Sequence, residues 1–276
     1  MIYKYIIAFI SIVCWTNSYS QVILEADGPG DTYELITSAL APGYKPIEAP
    51  GIKRGDCDNH SDFNESHITE VYDAELEKNV FKFVIHVKED NDRCKMFDRQ
   101  RNEIKSYRSS PDNLKGTQEE TVVYKWKFKL DKDFQPSKNF THLHQLKSVG
   151  ETEKAKPIIT LTARKGSVDK LELRHSGGKD QNTLKKVDLD LLRGNWVQVI
   201  ETVTYGEENK GSYDIVITNI KTGKSILKYK NKSIQLWNAG AEFVRPKWGI
   251  YRSLKSAEYL RDETLFFADF SIIENQ

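Results

Sequence analysis

The chain has 276 residues and a mass of 31.8 kDa, with 38% hydrophobic, 11% aromatic and 29% charged residues. That composition supports a large buried core and excludes wholesale disorder, a collagen-like rod or a coiled coil; an all-β chain of this length is routinely one domain. The 41 Lys and Arg nearly balance the 40 Asp and Glu, so bulk charge implies no nucleic-acid partner, and affinity for any polyanion has to come from local clustering of cations.

Residues 5–15, IIAFISIVCWT, form the one long apolar run. It is too short to span a bilayer, follows Lys4 and leads into Ser18-Tyr19-Ser20 before Gln21, the pattern of a cleaved secretory signal peptide over residues 1–20. The protein is therefore expected to be exported, periplasmic or secreted in a bacterium, without a membrane span, and to work as a monomer. Loss of the leader removes Lys4 and no acid, leaving 40 basic against 40 acidic residues. Cys14 leaves with it, and Val13 makes a poor lipobox. Cys57 and Cys94 remain, an even pair that in an exported protein suggests one disulfide.

Residues 21–79 read as irregular, with Gly28-Pro29-Gly30, Pro46, Pro50 and an acidic stretch at Asp56, Asp58 and Asp62. A first strand and long loops are expected there. From residue 80 onward strand-like runs recur, at 80–87, 122–130, 158–163, 168–174, 196–205, 212–220, 226–230, 247–252 and 265–273, broken by turn signals such as Lys221-Thr222-Gly223-Lys224. In 122–130, Val122, Tyr124, Trp126, Phe128 and Leu130 share one face while Lys125, Lys127 and Lys129 share the other, the period of a half-buried antiparallel strand. A short helix is expected near 254–262, and no further domain after the last strand. The sum predicts an all-β fold: a single-domain jelly roll, a sandwich of two antiparallel sheets, over residues 21–276.

Three segments could carry chemistry. In Asp98–Lys105, a strand would project Arg99, Arg101, Glu103 and Lys105 to one face, an anion platform in which the acid ties the guanidinium groups in place; the bland alternative is a solvated charged edge. In Phe140–Lys147, strict alternation puts Leu143, Gln145 and Lys147 on one face and His142, His144 and Leu146 on the other. The His-x-His pair resembles a zinc pair, but no third ligand of recognisable spacing accompanies it. In Arg245–Arg252, Trp248 and Ile250 must face the core, which sends Lys247, Gly249 and Tyr251 outward; Gly249 either leaves a gap for a ligand beside Tyr251 or marks a bulge. Arg252 closes this basic segment as a further candidate for substrate contact.

Taken in order, Arg101-x-Glu103-x-Lys105, Gln145-x-Lys147 and Lys247-x-Gly249-x-Tyr251 resemble the three groove-lining strands of the jelly-roll polysaccharide lyases. In the alginate lyases of that group the strings are Arg-x-Glu-x-Arg, Gln-x-His and Lys-x-Gly-x-Tyr, and heparin lyase I, glucuronan lyase and some ulvan lyases share the architecture. The resemblance spans about residues 80–273. It departs at Lys147, where the alginate enzymes carry His; some ulvan lyases are similar in using a lysine as base, which favours ulvan.

The resemblance implies β-elimination on an anionic polysaccharide or oligosaccharide: a base removes the C5 proton of a uronic acid, the C4 oxygen leaves, and a 4,5-unsaturated sugar results. Gln145 and Arg101, supported by Lys105 and Lys247, are expected to stabilise the developing enolate, with Arg99, Glu103 and Arg252 helping to bind substrate. Lys147 is the candidate base if desolvation and neighbouring cations lower its pKa. Tyr251 is the candidate donor to the C4 oxygen and, in a syn elimination, can do both jobs. His144 is the fallback base if its strand faces the other way. A free C4 hydroxyl in place of a glycosidic oxygen would make the enzyme an oligosaccharide dehydratase, and a non-catalytic lectin of the same shape is the competing class. No cofactor is required; a structural calcium is conceivable where Glu25, Asp27, Asp31 and Asp269 could meet.

Overall fold

The alternation in 122–130 has its counterpart in space: Val122, Tyr124, Trp126, Phe128 and Leu130 are all essentially sealed from solvent, while the lysines between them are half-exposed. A computed structural model describes residues 19–51, 66–151, 156–177 and 180–275. The expected leader, apart from Tyr19 and Ser20, and Cys57 lie outside the described residues. Cys94 is disulfide-bonded.

Two antiparallel sheets face each other. The first contains β13 (Ser225–Ile234), β12 (Gly211–Asn219), β11 (Trp196–Thr204), β6 (Thr121–Leu130), β15 (Glu263–Asn275), β4 (Lys78–Ile85) and β3 (Ile68–Asp73) in that spatial order, with β1 (Tyr19–Leu24) on the second half of β15. The second runs β10 (Asn182–Asp188), β9 (Lys170–His175), β8 (Ile159–Arg164), β7 (Thr141–Gly150), β14 (Ala241–Ser253), β5 (Arg99–Lys105) and β2 (Ile47–Glu48). This is the expected jelly-roll sandwich. Its core interleaves aromatic and branched side chains from both inner faces; Trp248 packs edge-on to Trp126 at 6.0 Å and at 5.1 Å from Phe270, burial that dominates the stability of such a sandwich.

Three local expectations are corrected. Residues 21–79 contain not only strands but a helix, α1 (Thr32–Leu40), which buries Thr32, Ile36, Thr37 and Leu40; nine residues give too few turns for a 3.6 period to stand out. The helix expected near 254–262 is a single 3-10 turn at Ala257–Tyr259. The strand β10 went unread because Asn182–Asp188 lies at the sheet edge with every residue at least partly exposed, leaving no alternation to detect.

Two bulges set the functional face. Against β7, β14 carries an extra residue between Trp248 and Tyr251; against β8, β7 carries one between His142 and His144. An inserted residue reverses side-chain parity beyond it. Leu143 and His144 therefore both enter the core, while His142 turns to the outer face with Gln145 and Lys147. Gly249 is the backbone condition for this arrangement: its φ is +140°, and a Cβ there would lie 2.1 Å from the Asn102 carbonyl oxygen of β5. The gap beside Tyr251 is thus filled by the neighbouring strand and admits no ligand. We expect Gly249→Ala to cost about 1–3 kcal/mol in denaturant unfolding; wild-type stability would show that the strand spacing relaxes freely.

Candidate active site

On the outer face of the second sheet, β5, β14 and β7 lie side by side, and their register aligns the three sequence motifs. Lys247 sits opposite Lys105 on one side and Gln145 on the other; Tyr251 sits opposite Arg101 and His142. These residues line a cleft of about 570 Å³ with Arg99, Lys147, Phe140, Tyr107, Arg245 and others. So Arg99, Arg101, Lys105, Gln145, Lys147, Lys247 and Tyr251 come together as expected, with Glu103 buried beneath them.

What holds so many cations together is a set of buried acids, two of them missed in the sequence. Glu48 on the two-residue strand β2 is 3% exposed and receives Lys105 Nζ at 2.5 Å and Arg93 Nη1 at 3.0 Å on Oε1, Lys247 Nζ at 2.6 Å and Arg101 Nη1 at 3.3 Å on Oε2. Glu103 Oε2 receives Lys247 Nζ at 2.6 Å and Arg101 Nη1 at 2.7 Å, and its Oε1 accepts from the Gln145 amide. Asp92 clamps Arg101 through Nε at 2.9 Å and Nη2 at 3.0 Å. Burial opposes the charge on Glu48, yet Lys247, Lys105, Arg101 and Arg93 outweigh it and hold the carboxyl well below its usual range. Burial likewise opposes charge on Arg101, but Glu103, Glu48 and Asp92 keep the guanidinium charged. For Lys105 burial prevails over Glu48 and, with Lys247 and Arg245, brings the ammonium down to about 7. Glu48 was unreadable because nothing in Ile47–Glu48 signals a strand.

Tyr251 stands at one end of the cleft, its ring 3.6 Å from the Arg101 guanidinium carbon and its hydroxyl accepting from Arg99 Nη1 at 3.2 Å. Burial raises the phenol, while Arg101 and Arg99 pull it back; it starts protonated at neutral pH. His142 stacks on Phe140 at 4.8 Å and lies 5.8 Å from the Tyr251 ring. Burial, then Arg101, Arg164, Lys247 and Arg174, press the His142 imidazole down to about 3, so it is neutral. Only the bulge brings it here; strict alternation placed it on the face opposite Gln145 and Lys147.

Two expected site residues lie elsewhere. His144 is fully buried between the sheets, its Nε2 2.9 Å from Glu201 Oε2, its Nδ1 3.0 Å from the Lys247 carbonyl and its ring 4.4 Å from Trp126; it has no path to a substrate and cannot be the base. Arg252 is also on the inner face, donating from Nε to Gln100 Oε1 at 2.6 Å and from Nη1 to the Arg261 carbonyl at 2.9 Å, so it packs the core and does not bind substrate.

The metal expectations fare likewise. His142 and His144 face opposite sides and cannot share a zinc ion. Asp269 is neutralised by Lys78 at 2.6 Å and Lys127 at 2.5 Å, and it does not group with Glu25, Asp27 and Asp31 around a calcium position. Among the described residues the one group of suitable ligand types is His67, His86 and Asp90, behind β5, where Asp90 already engages His67 Nε2 at 3.0 Å and the His86 amide at 2.6 Å.

A sequence model of a family described as polysaccharide lyase matches residues 52–269. The chain belongs to that family. As a polysaccharide lyase it is a carbon–oxygen lyase acting on polysaccharides by β-elimination, which decides for an enzyme over a lectin. No curated protein matches the chain. Among solved structures, the marine PL-14 alginate lyase from Aplysia kurodai superimposes with a TM-score of 0.58 at 12% identity, covering 91% of this chain and 97% of that one. The endo-β-1,4-glucuronan lyase from the fungus Trichoderma reesei gives 0.54 at 12% identity, covering 74% and 85%, and an alginate lyase from Pseudomonas aeruginosa gives 0.50 at 13%, covering 76% and 87%. At these identities the likeness is one of fold. No helix among the described residues of this lyase is long and apolar enough to cross a membrane.

The buried acids make the lyase site sensitive in a defined way. Glu48→Gln leaves four cations around a neutral amide, and removing one partner of a buried pair typically costs about 3–5 kcal/mol. Because the folded carboxyl titrates below its ordinary value of 4.5, its contribution is present above that pH and fades as pH falls toward the folded value. The variant is expected to unfold earlier in urea at pH 7 and to lose less stability than wild type on acidification; equal midpoints at pH 7 would contradict the role given to Glu48.

Proposed function

We propose that the lyase abstracts the C5 proton of a uronic acid residue in an anionic polysaccharide, with ulvan the favoured polymer, and expels the C4 oxygen to leave a 4,5-unsaturated uronate. The observation that carries this reading is the convergence of Tyr251, Gln145, Lys147 and Arg101 from three adjacent strands in one basic cleft.

The C5 proton is weakly acidic while the adjoining carboxylate keeps its full charge, so fixed positive charge and amide donors at that carboxylate supply the largest share of the barrier reduction. Gln145, Arg101 and Lys247 are pre-set for this by Glu103. Tyr251, protonated and with its hydroxyl held by Arg99, donates to the departing C4 oxygen. Lys147 is the base: it lines the cleft with Gln145 and Tyr251, with Arg245 directly across the β7–β14 ladder from it. His142 is a poor base, since any imidazolium formed among Arg101, Arg164, Lys247 and Arg174 returns its proton readily; it serves as a neutral wall stacked beside Tyr251. Lys147 in place of a histidine supports the preference for ulvan over alginate.

Incubation with ulvan, glucuronan, alginate and glycosaminoglycans, read by ultraviolet absorbance of the conjugated uronate and by product mass, tests the reading. Absorbance with chain shortening is expected; absorbance with loss of one water and no shortening makes the enzyme a dehydratase, and silence on every polymer and its oligomers overturns it.

On the active substrate, Lys147→Ala and Tyr251→Phe are each expected to lower turnover by at least about a hundredfold with little change in melting temperature, whereas His144→Ala acts through stability alone. Turnover should rise into the alkaline range, because the base must lose its proton while the raised Tyr251 phenol still keeps its own. A folded, active Lys147→Ala enzyme would remove Lys147 from the mechanism.

A further inference from the structure

The functional face continues past the cleft. Gln145 on β7 pairs with Thr160 on β8, which pairs with Arg174 on β9; Thr162 pairs with Glu172, and Arg164 with Lys170. Directly opposed residues of an antiparallel ladder project to the same side, so Arg164 and Arg174 stand on the face that carries Gln145 and Lys147. At ~5 Å per strand, Arg174 lies about 10 Å across the sheet from Gln145.

These cations are under-neutralised. Arg174 Nη1 at 2.8 Å, Lys186 Nζ at 2.9 Å and Arg164 Nε at 3.5 Å all converge on the single carboxylate of Glu172. Among the described residues the Nε–H groups of both arginines make no hydrogen bond, though they are shielded from solvent. Burial and the neighbouring Arg174 lower Arg164 below its ordinary value, with Glu172 opposing. Three cations against a single carboxylate, with the Arg174 guanidinium held in place by Thr183 Oγ1 at 2.8 Å and the Gln181 carbonyl at 3.1 Å, leave a net positive surface suited to an oxyanion.

We propose that Arg164 and Arg174 form a second oxyanion subsite, which holds the sulfate ester or carboxylate of a sugar neighbouring the one being cleaved. This rests on the anionic-polymer reading of the cleft. The subsite contributes binding and register and takes no part in the chemistry, since Arg164 lies two strands and Arg174 three strands from Tyr251.

The test compares full-length wild type with Arg164→Gln/Arg174→Gln in direct binding, by calorimetry or affinity electrophoresis, to ulvan, chemically desulfated ulvan and polyglucuronate. The double variant is expected to bind at least about tenfold more weakly, with a shallower dependence on salt, and to show a raised KM with kcat nearly unchanged. A loss confined to sulfated ulvan identifies sulfate as the ligand; a loss on all three identifies carboxylate. Arg164→Gln alone, which removes no hydrogen bond, carries the same test if the double variant does not fold. Affinity within twofold of wild type on every polymer that wild type binds overturns the subsite. Wild type that binds none of the three overturns the substrate reading, and the subsite with it.

Discussion

The cleft exists because carboxylates are buried beneath it. Arg101, Lys105 and Lys247 crowd one sheet face with Arg93 reaching in from the segment before β5, and without Glu48, Glu103 and Asp92 their mutual repulsion would splay β5 from β14. The acids cost desolvation energy, and a buried ion pair adds little net stability over an apolar one. What they supply is orientation. Each cation is fixed by at least one bond of 3.0 Å or less before any substrate arrives, so charge that develops at a bound uronate meets dipoles that need no reorganisation. Three carboxylates against four directly bound cations still leave the floor of the cleft positive, and Arg99, Lys147 and Arg245 on its walls add to that.

Specificity on this face divides along the strands. The β5, β14 and β7 triplet carries cations tied down by acids, suited to a step where charge must be stabilised at one atom. The β8 and β9 pair carries guanidinium groups sharing one acid, suited to holding an anion that does not react. One sheet can do both because antiparallel pairing keeps every second residue of seven strands on the same side.

The sandwich and its strands were legible where one face is buried and the other wet, as in Thr121–Leu130. The motifs were legible because β14 keeps an unbroken register with β5 from Lys247 to Ser253, and Gln145 and Lys147 lie beyond the bulge of β7. What alternation cannot show is an inserted residue: the bulge in β7 exchanged His142 for Leu143 on the outer face, while His144 stayed opposite Gln145 and Lys147 and pairs with Glu201. Glu48 and Asp92 escaped for a different reason. Glu48 lies 53 residues before Arg101 and Asp92 nine residues before it in an irregular segment, and each acts only through tertiary pairing; Arg252 looked like a groove cation although its odd–even parity with Tyr251 already sends it inward.

The central claim is that one uronate carboxylate sits over Gln145, Arg101 and Lys247 with C5 facing Lys147 and the C4 oxygen facing Tyr251. A crystal structure of the Tyr251→Phe protein with an uncleaved oligosaccharide of the active polymer measures this directly. The account predicts Lys147 Nζ within hydrogen-bond reach of C5, the edge of the substituted phenyl ring against the C4 oxygen and the carboxylate on Gln145 and Arg101. A sugar bound with its carboxylate away from these residues, or with C5 turned toward His142, would contradict it.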